Sequence, residues 1–106
     1  MADCSPQELK ERLALGGAPL LIDVRQPEEW VICQIKPALE IPMGDIPGRL
    51  MELDEHHDAE IIVYCHHGVR SGRVQHFLQQ QGFSNVRNLL GGIDAYADLE
   101  PGMARY

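Results

Sequence analysis

Within seven residues, Cys65-His66-His67-Gly68-Val69-Arg70-Ser71 gathers a thiol, two imidazoles, a flexible glycine and a guanidinium. A thiol is nucleophilic as its thiolate, so the surroundings of Cys65 decide whether this stretch is reactive. The four residues before it, Ile61-Ile62-Val63-Tyr64, are β-formers and read as a buried strand. From Ser71 to about Gln81, Val74, Phe77 and Leu78 recur at helical spacing. Cys65 therefore sits where a strand hands over to a helix, beside amides that no helical carbonyl satisfies. Such a position favours an anion, whether a thiolate, a persulfide or a bound oxyanion. If the loop curls about the sulfur, the amides from His66 to Ser71, Val69 included, converge on it as a nest, and Gly68 permits the backbone angles this needs. Arg70 and Arg73 add positive charge that favours the thiolate.

The other chemistry-bearing residues are weighed against this loop. Asp23 is the candidate carboxylate partner of Arg70; the alternative is an Asp23 that caps its own turn and an Arg70 at the surface. Arg25 reads as structural. His66 and His67 are adjacent and lack a spaced second pair, which argues against a metal site. At the mouth of the loop they would instead help attract an anion when protonated. His56, His57 and His76 read as solvated, and Trp30 and Tyr96 as packing residues. Cys4 and Cys33 have no comparable context.

The elements that must position Cys65 follow from the rest of the chain. Ser5-Pro6-Gln7-Glu8 predicts a helix start with Ser5 as N-cap and Glu8 completing a capping box, and Gly16-Gly17 stops that helix. Residues 2–4 offer a short edge strand. Leu20 to Val24 reads as a strand, Pro27 to Trp30 as a short helix, and Leu39 to Ile41 as a further strand closed by Pro42. Asp45 is a candidate cap for a helix through Pro47 to Leu53, with a polar loop from Asp54 to Glu60. Gly82 ends the helix after the Cys65 loop, with Phe83 folding back on it. Val86 to Leu90 reads as the last strand, Gly91-Gly92 as a turn and Ile93 to Leu99 as a final helix, followed by a surface tail. Alternating strands and helices predict an α/β fold, an open parallel sheet of four to five strands with helices on both faces. Ligands collect at the carboxyl ends of such strands, where Cys65 and the Asp23-Val24-Arg25 turn both fall.

Length and charge bound the alternatives. The 106 residues suit one domain spanning 1–106, with 44% hydrophobic and 24% charged residues. A net charge of −7 argues against nonspecific nucleic-acid binding and against an anionic membrane surface. No apolar run is long enough to span a bilayer, and Met1-Ala2-Asp3-Cys4 opens no signal peptide. Three cysteines without a C-x-x-C pair suit a reducing compartment, so a cytoplasmic location is expected.

Four motifs in register resemble the rhodanese-like domain. They are Asp23-Val24-Arg25-x-Pro27-x-Glu29-Trp30, Cys65-x-x-Gly68-x-Arg70-Ser71, Gly82-Phe83 and Leu90-Gly91-Gly92-Ile93-x-Ala95-Tyr96. The match runs from about Ser5 to Tyr106 and is similar to single-domain thiosulfate sulfurtransferases. It extends to rhodanese modules fused to adenylating enzymes, which share an ending like Arg105-Tyr106. The chain departs from the family at Pro37-Ala38, where Gly-Ala is usual. The resemblance implies a Cys65 thiolate that takes the outer sulfur of thiosulfate, holds it as a persulfide and passes it to a thiol or protein acceptor, by double displacement. Asp23 and Arg25 would support the loop, and no cofactor is implied.

Two other readings stay in view. One is a persulfide carrier or docking module serving a partner protein without turnover. The other is a phosphatase or arsenate-reductase-like enzyme. Related dual-specificity phosphatases have five residues between cysteine and arginine, whereas here four, His66 to Val69, separate Cys65 from Arg70. The tighter ring favours sulfur.

Overall fold

Ile61, Ile62, Val63 and Tyr64 are all fully buried and form the centre of the molecule, as four unbroken β-formers between helices should. In the computed structural model, which describes residues 3–16 and 19–106, the chain runs α1 (Pro6–Ala14), β1 (Leu20–Asp23), α2 (Pro27–Trp30), β2 (Leu39–Glu40), two 3-10 segments (Met43–Asp45 and Pro47–His56), β3 (Ile61–Tyr64), α3 (Val69–Gln80), β4 (Val86–Asn88) and α4 (Gly92–Ala97). The four strands are parallel in the order β2-β1-β3-β4. Cys4 adds an isolated parallel bridge to Leu89, the remnant of the edge strand expected at residues 2–4; Ala2 lies outside the described residues, as does Gly17 of the expected helix stop.

Side chains alternate along each strand, and the sheet sorts them into two cores. Ile61, Val63 and Cys65 share one face with Ile22, Val24, Val74, Leu78 and Phe83 beneath α3 and the 3-10 segments. Ile62 and Tyr64 share the other with Leu9, Leu21, Leu89, Ile93 and Tyr96 beneath α1 and α4. Each fully buried aliphatic chain contributes about 1.5–3 kcal/mol, so these two layers dominate the stability. Tyr64 keeps its buried hydroxyl satisfied by accepting from the Ile35 amide at 3.1 Å.

Strand order decides where the site falls. From β1 the chain moves to β2 on one side, and from β3 to β4 on the other. The carboxyl ends of β1 and β3 therefore flank the topological switch point, the crevice where such sheets bind ligands. Their ends are joined by the Val24 amide donating to the Tyr64 carbonyl at 3.0 Å.

Several local expectations are corrected. Ser5 does accept from the Glu8 amide at 3.1 Å, but the Glu8 carboxylate leaves the capping box for Arg87, at 2.7 and 2.8 Å. The segment after β2 is 3-10 rather than α-helical, and Asp45 caps nothing, because Pro47 follows Ile46 with no side-chain cap. That segment runs to His56, shortening the polar loop expected from Asp54. His57 is not simply solvated, since its ring stacks on Phe83 at 4.1 Å. Helix α3 starts at Val69, two residues earlier than the hydrophobic period suggested. Gly82, at φ +94°, ends it, and the Phe83 amide folds back to the Leu78 carbonyl at 3.1 Å.

Candidate active site

Cys65 is the last residue of the β3 row that faces α3, so the alternation of the strand delivers its side chain beneath the start of that helix. The residue is only 1% exposed, yet its sulfur is not in an apolar pocket. The Gly68 amide donates to Sγ at 3.1 Å and the Ser71 amide at 3.4 Å, and the Ser71 hydroxyl lies 3.3 Å away. Burial opposes ionisation of the thiol. The Ser71 hydroxyl and the amides of Ser71, Gly68 and His67 outweigh it and leave Cys65 below the ordinary thiol range.

The loop holds this shape because its carbonyls are taken up elsewhere. The Ile93 amide donates to the Cys65 carbonyl at 2.9 Å and the Asp94 amide to the His66 carbonyl at 3.0 Å. In a trans peptide the N–H points opposite to the C=O, so pinning these carbonyls turns the His66 and His67 amides away from α4, and the His67 amide is among those that lower the Cys65 pKa. This approach requires Gly92: a Cβ there would stand 2.4 Å from the His66 oxygen and 2.6 Å from that of Cys65. Gly68, at φ +106°, makes the turn into α3.

Asn88, at the end of the neighbouring β4, completes the frame. Its Nδ2 donates to the Gly68 carbonyl at 3.0 Å, and its Oδ1 accepts from the Ser71 hydroxyl at 2.6 Å. Ser71 thus has one proton and two acceptors. With Cys65 as a thiol, the hydroxyl serves Asn88 and accepts from S–H; with the thiolate, it can turn to sulfur. Sequence reasoning missed Asn88, whose only signal was an amide interrupting an apolar strand.

The charged residues are paired differently from the expectation. Arg70 does not reach Asp23. It forms a fork with Glu29, Nη1 to Oε2 at 2.7 Å and Nη2 to Oε1 at 2.8 Å. Asp23 instead caps its own turn and binds Arg25, with Nη2 to Oδ2 at 2.8 Å and both side chains fully buried. The Arg25 guanidinium also donates to the Cys33 carbonyl at 2.6 Å. Arg70 is paired in this way and Arg73 lines a separate apolar cleft of about 140 Å³ with Met43, Ile46, Pro47, Val74 and Phe77, so the polar hydrogens of the loop lead in lowering the Cys65 pKa.

His66 is held in a stack at the mouth rather than left as a free cation. The His66 ring is sandwiched between His67, at 3.9 Å, and Tyr106, at 3.7 Å and 9°. Burial first, and then His67, lowers its pKa and disfavours the protonated form. His66, His67 and Asp94 do bring ligating atoms within 4.8 Å of one another, a third group the sequence reading did not foresee. Asp94 is engaged by Arg105 at 3.2 Å, and the two imidazoles are stacked rather than splayed around a common point. The tail docks firmly: the Tyr106 hydroxyl accepts from Arg25 Nη1 at 2.9 Å and donates to Glu29 Oε1 at 2.8 Å.

The fold and the site together define a class: a parallel α/β domain that delivers one thiol to the amides of a helix start, at the switch point of the strand order. The chain belongs to the rhodanese-like domain family, whose model matches residues 5–99. A sulfurtransferase of Allochromatium vinosum is 41% identical over 91 residues, covering 86% of this chain and 83% of that protein. A putative sulfur carrier protein of Bacillus subtilis is 31% identical over 91 residues, covering 86% of this chain and 48% of that one. The crystal structure of a rhodanese-like domain protein from Staphylococcus aureus superposes with a TM-score of 0.85 at 29% identity, over 100% of this chain and 99% of the other.

Proposed function

We propose that this rhodanese-like domain transfers a sulfane sulfur from thiosulfate to a thiophilic acceptor through a persulfide on Cys65. Sulfur transfer in general follows from the family and from relatives named as sulfurtransferases. The finer reading rests on one observation: the Cys65 sulfur receives the Gly68 and Ser71 amides at the start of α3.

In the first step the Cys65 thiolate attacks the outer sulfur of thiosulfate. The S–S bond of the donor breaks, and sulfite leaves with its electron pair. The new terminal sulfur carries the negative charge, towards which the loop amides would donate. In the second step a thiol or cyanide attacks that terminal sulfur, and Cys65 leaves as the thiolate the loop already stabilises. Each step exchanges one sulfur–nucleophile bond for another, so double-displacement kinetics follow. His66 to Ser71 form the ring, and Asp23 and Arg25 brace the adjoining end of β1. Three free cysteines suit a reducing, cytoplasmic setting, and among the described residues no helix is long and apolar enough to cross a membrane.

The likeness to a putative sulfur carrier protein also favours a second reading, a carrier that loads its persulfide for a protein partner and turns over slowly on small thiols. Sulfite release from thiosulfate with cyanide, compared between the wild type and Cys65→Ser, tests the first reading. Loss in the variant, with a cyanide-removable gain of one sulfur mass on the wild type, supports it. Activity surviving Cys65→Ser overturns the assignment. Mass gain without turnover selects the carrier.

A further inference from the structure

We infer that Tyr106 is a positioning residue for the Cys65 loop, closing the ring around the sulfur from outside by side-chain contacts. This rests on the sulfur-transfer reading only for its consequence in turnover; the effect on the thiol stands apart from it.

The backbone of the loop is held unevenly. Its second half is the first turn of α3, fixed by the helix and by the Arg70–Glu29 fork. Its first half, His66 and His67, has no helical bonds of its own and depends on α4 and on what lies against the His66 ring. Tyr106 lies there, parallel to the imidazole at 3.7 Å. From the same ring, the hydroxyl reaches Glu29, the partner of Arg70. One side chain therefore links the residue after Cys65 to the anchor of the residue before Ser71.

The hydroxyl stands between two ion pairs. It accepts from Arg25 Nη1, and Arg25 is bound to Asp23 at the end of β1; it donates to Glu29 Oε1, which also takes Arg70 Nη2. The other Glu29 oxygen takes Arg70 Nη1 and the Gln26 amide at 2.9 Å. The Glu29 carboxylate is thereby saturated, and its orientation is fixed from three directions. Phenylalanine could supply the stack but neither of the polar contacts. Tyr106 is 40% exposed, so its packing also contributes to folding, and a stability control must separate that from its hold on the loop. Its contacts are concentrated on the loop and its anchors.

The thiol itself provides the test. Alkylation of Cys65 by iodoacetamide is followed across pH by peptide mass spectrometry, which separates it from Cys4 and Cys33. It is compared among wild type, Tyr106→Ala, Tyr106→Phe and Glu29→Gln. Arg12→Ala, which removes an ion pair to Glu60 at the opposite end of the sheet, controls for a loss of stability alone. The expected result is an upward displacement of the Cys65 profile in Tyr106→Ala, with alkylation at neutral pH slowed about threefold to tenfold, since each lost charge-assisted bond to the thiolate is worth about a decade or less. Tyr106→Phe and Glu29→Gln should fall between it and the wild type, and Arg12→Ala should keep the wild-type profile. Profiles for Tyr106→Ala and Tyr106→Phe that superpose on the wild type overturn the inference. Sulfite release measured in parallel keeps the two questions separate: activity persisting in Cys65→Ser would overturn the enzyme reading and leave the alkylation comparison standing.

Discussion

Arg70 and Glu29, 41 residues apart in the chain, meet as a bidentate fork that ties the first turn of α3 to the single turn of α2. Both are largely sheltered, with side chains 29% and 16% exposed, so the pair is worth more than a solvent-exposed one. Because the fork grips a residue of the Cys65 loop, it couples stability to the shape of the site.

Arg70→Lys keeps the charge and loses the fork. The unfolding free energy should fall by about 1–2 kcal/mol, and sulfite release from thiosulfate should slow. Urea denaturation and the cyanide assay check the two effects; an unchanged midpoint would show that a point charge suffices.

Ser71→Ala removes the hydroxyl nearest the Cys65 sulfur while leaving the Ser71 amide in place. The thiol pKa should rise, and alkylation of Cys65 at neutral pH should fall by about fivefold to tenfold, the equivalent of roughly 1 kcal/mol. The pH dependence of alkylation measures this. The variant also strands Asn88 Oδ1, so a smaller loss of stability should accompany it.

Gly92→Ala tests the pinning of the loop by α4. At φ +64°, with the His66 oxygen 2.4 Å from the new Cβ, alanine fits neither the backbone nor the space. The variant should lose at least about 2 kcal/mol and most of its sulfur transfer, because the loop must move away from α4. Thermal denaturation alongside the assay tests this; wild-type turnover in a folded Gly92→Ala protein would contradict it.

One residue inserted between His67 and Gly68 widens the ring to the length found in related phosphatases. The amides would no longer converge on one sulfur, and thiosulfate turnover should drop at least about tenfold. Phenyl phosphate hydrolysis is the companion measurement.

Acid should unfold the domain through two carboxylates. Glu29, held by Arg70, and Glu60, held by Arg12 and Arg87, both have folded pKa values lowered from 4.5 to about 2. A lowered folded pKa means the unfolded chain binds protons first. The stabilisation is therefore complete above about pH 5 and is lost as pH falls from 4.5 towards 2. Each contributes on the order of 2 kcal/mol after screening by solvent. Urea midpoints at pH 7, 4 and 3 should decline, and Glu60→Gln should flatten the decline.

Most of the fold was legible because its signals are local. The unbroken run Ile61 to Tyr64, the helical period after it and Gly68 between them needed no distant residue to be read. The 3-10 segment from Pro47 was misread as α-helix because its spacing of Leu50 and Leu53 suits either helix type. The partner of Arg70 was misassigned for a different reason. Asp23 and Glu29 both flank the end of β1, and sequence offers no distance between either of them and a guanidinium 41 or more positions away.

The amino-acid sequence by itself determined that a parallel sheet would carry Cys65 to the start of a helix, because strand alternation, a left-handed glycine and helix periodicity act over a few residues. Only the tertiary structure decided what surrounds that thiol. Strand order brought Asn88 to Gly68 and Ser71, α4 turned the loop carbonyls away from the sulfur, and the tail set Tyr106 between His66 and Glu29. Those contacts join residues far apart in the chain, and their specificity comes from packing and hydrogen-bond geometry that no local pattern records.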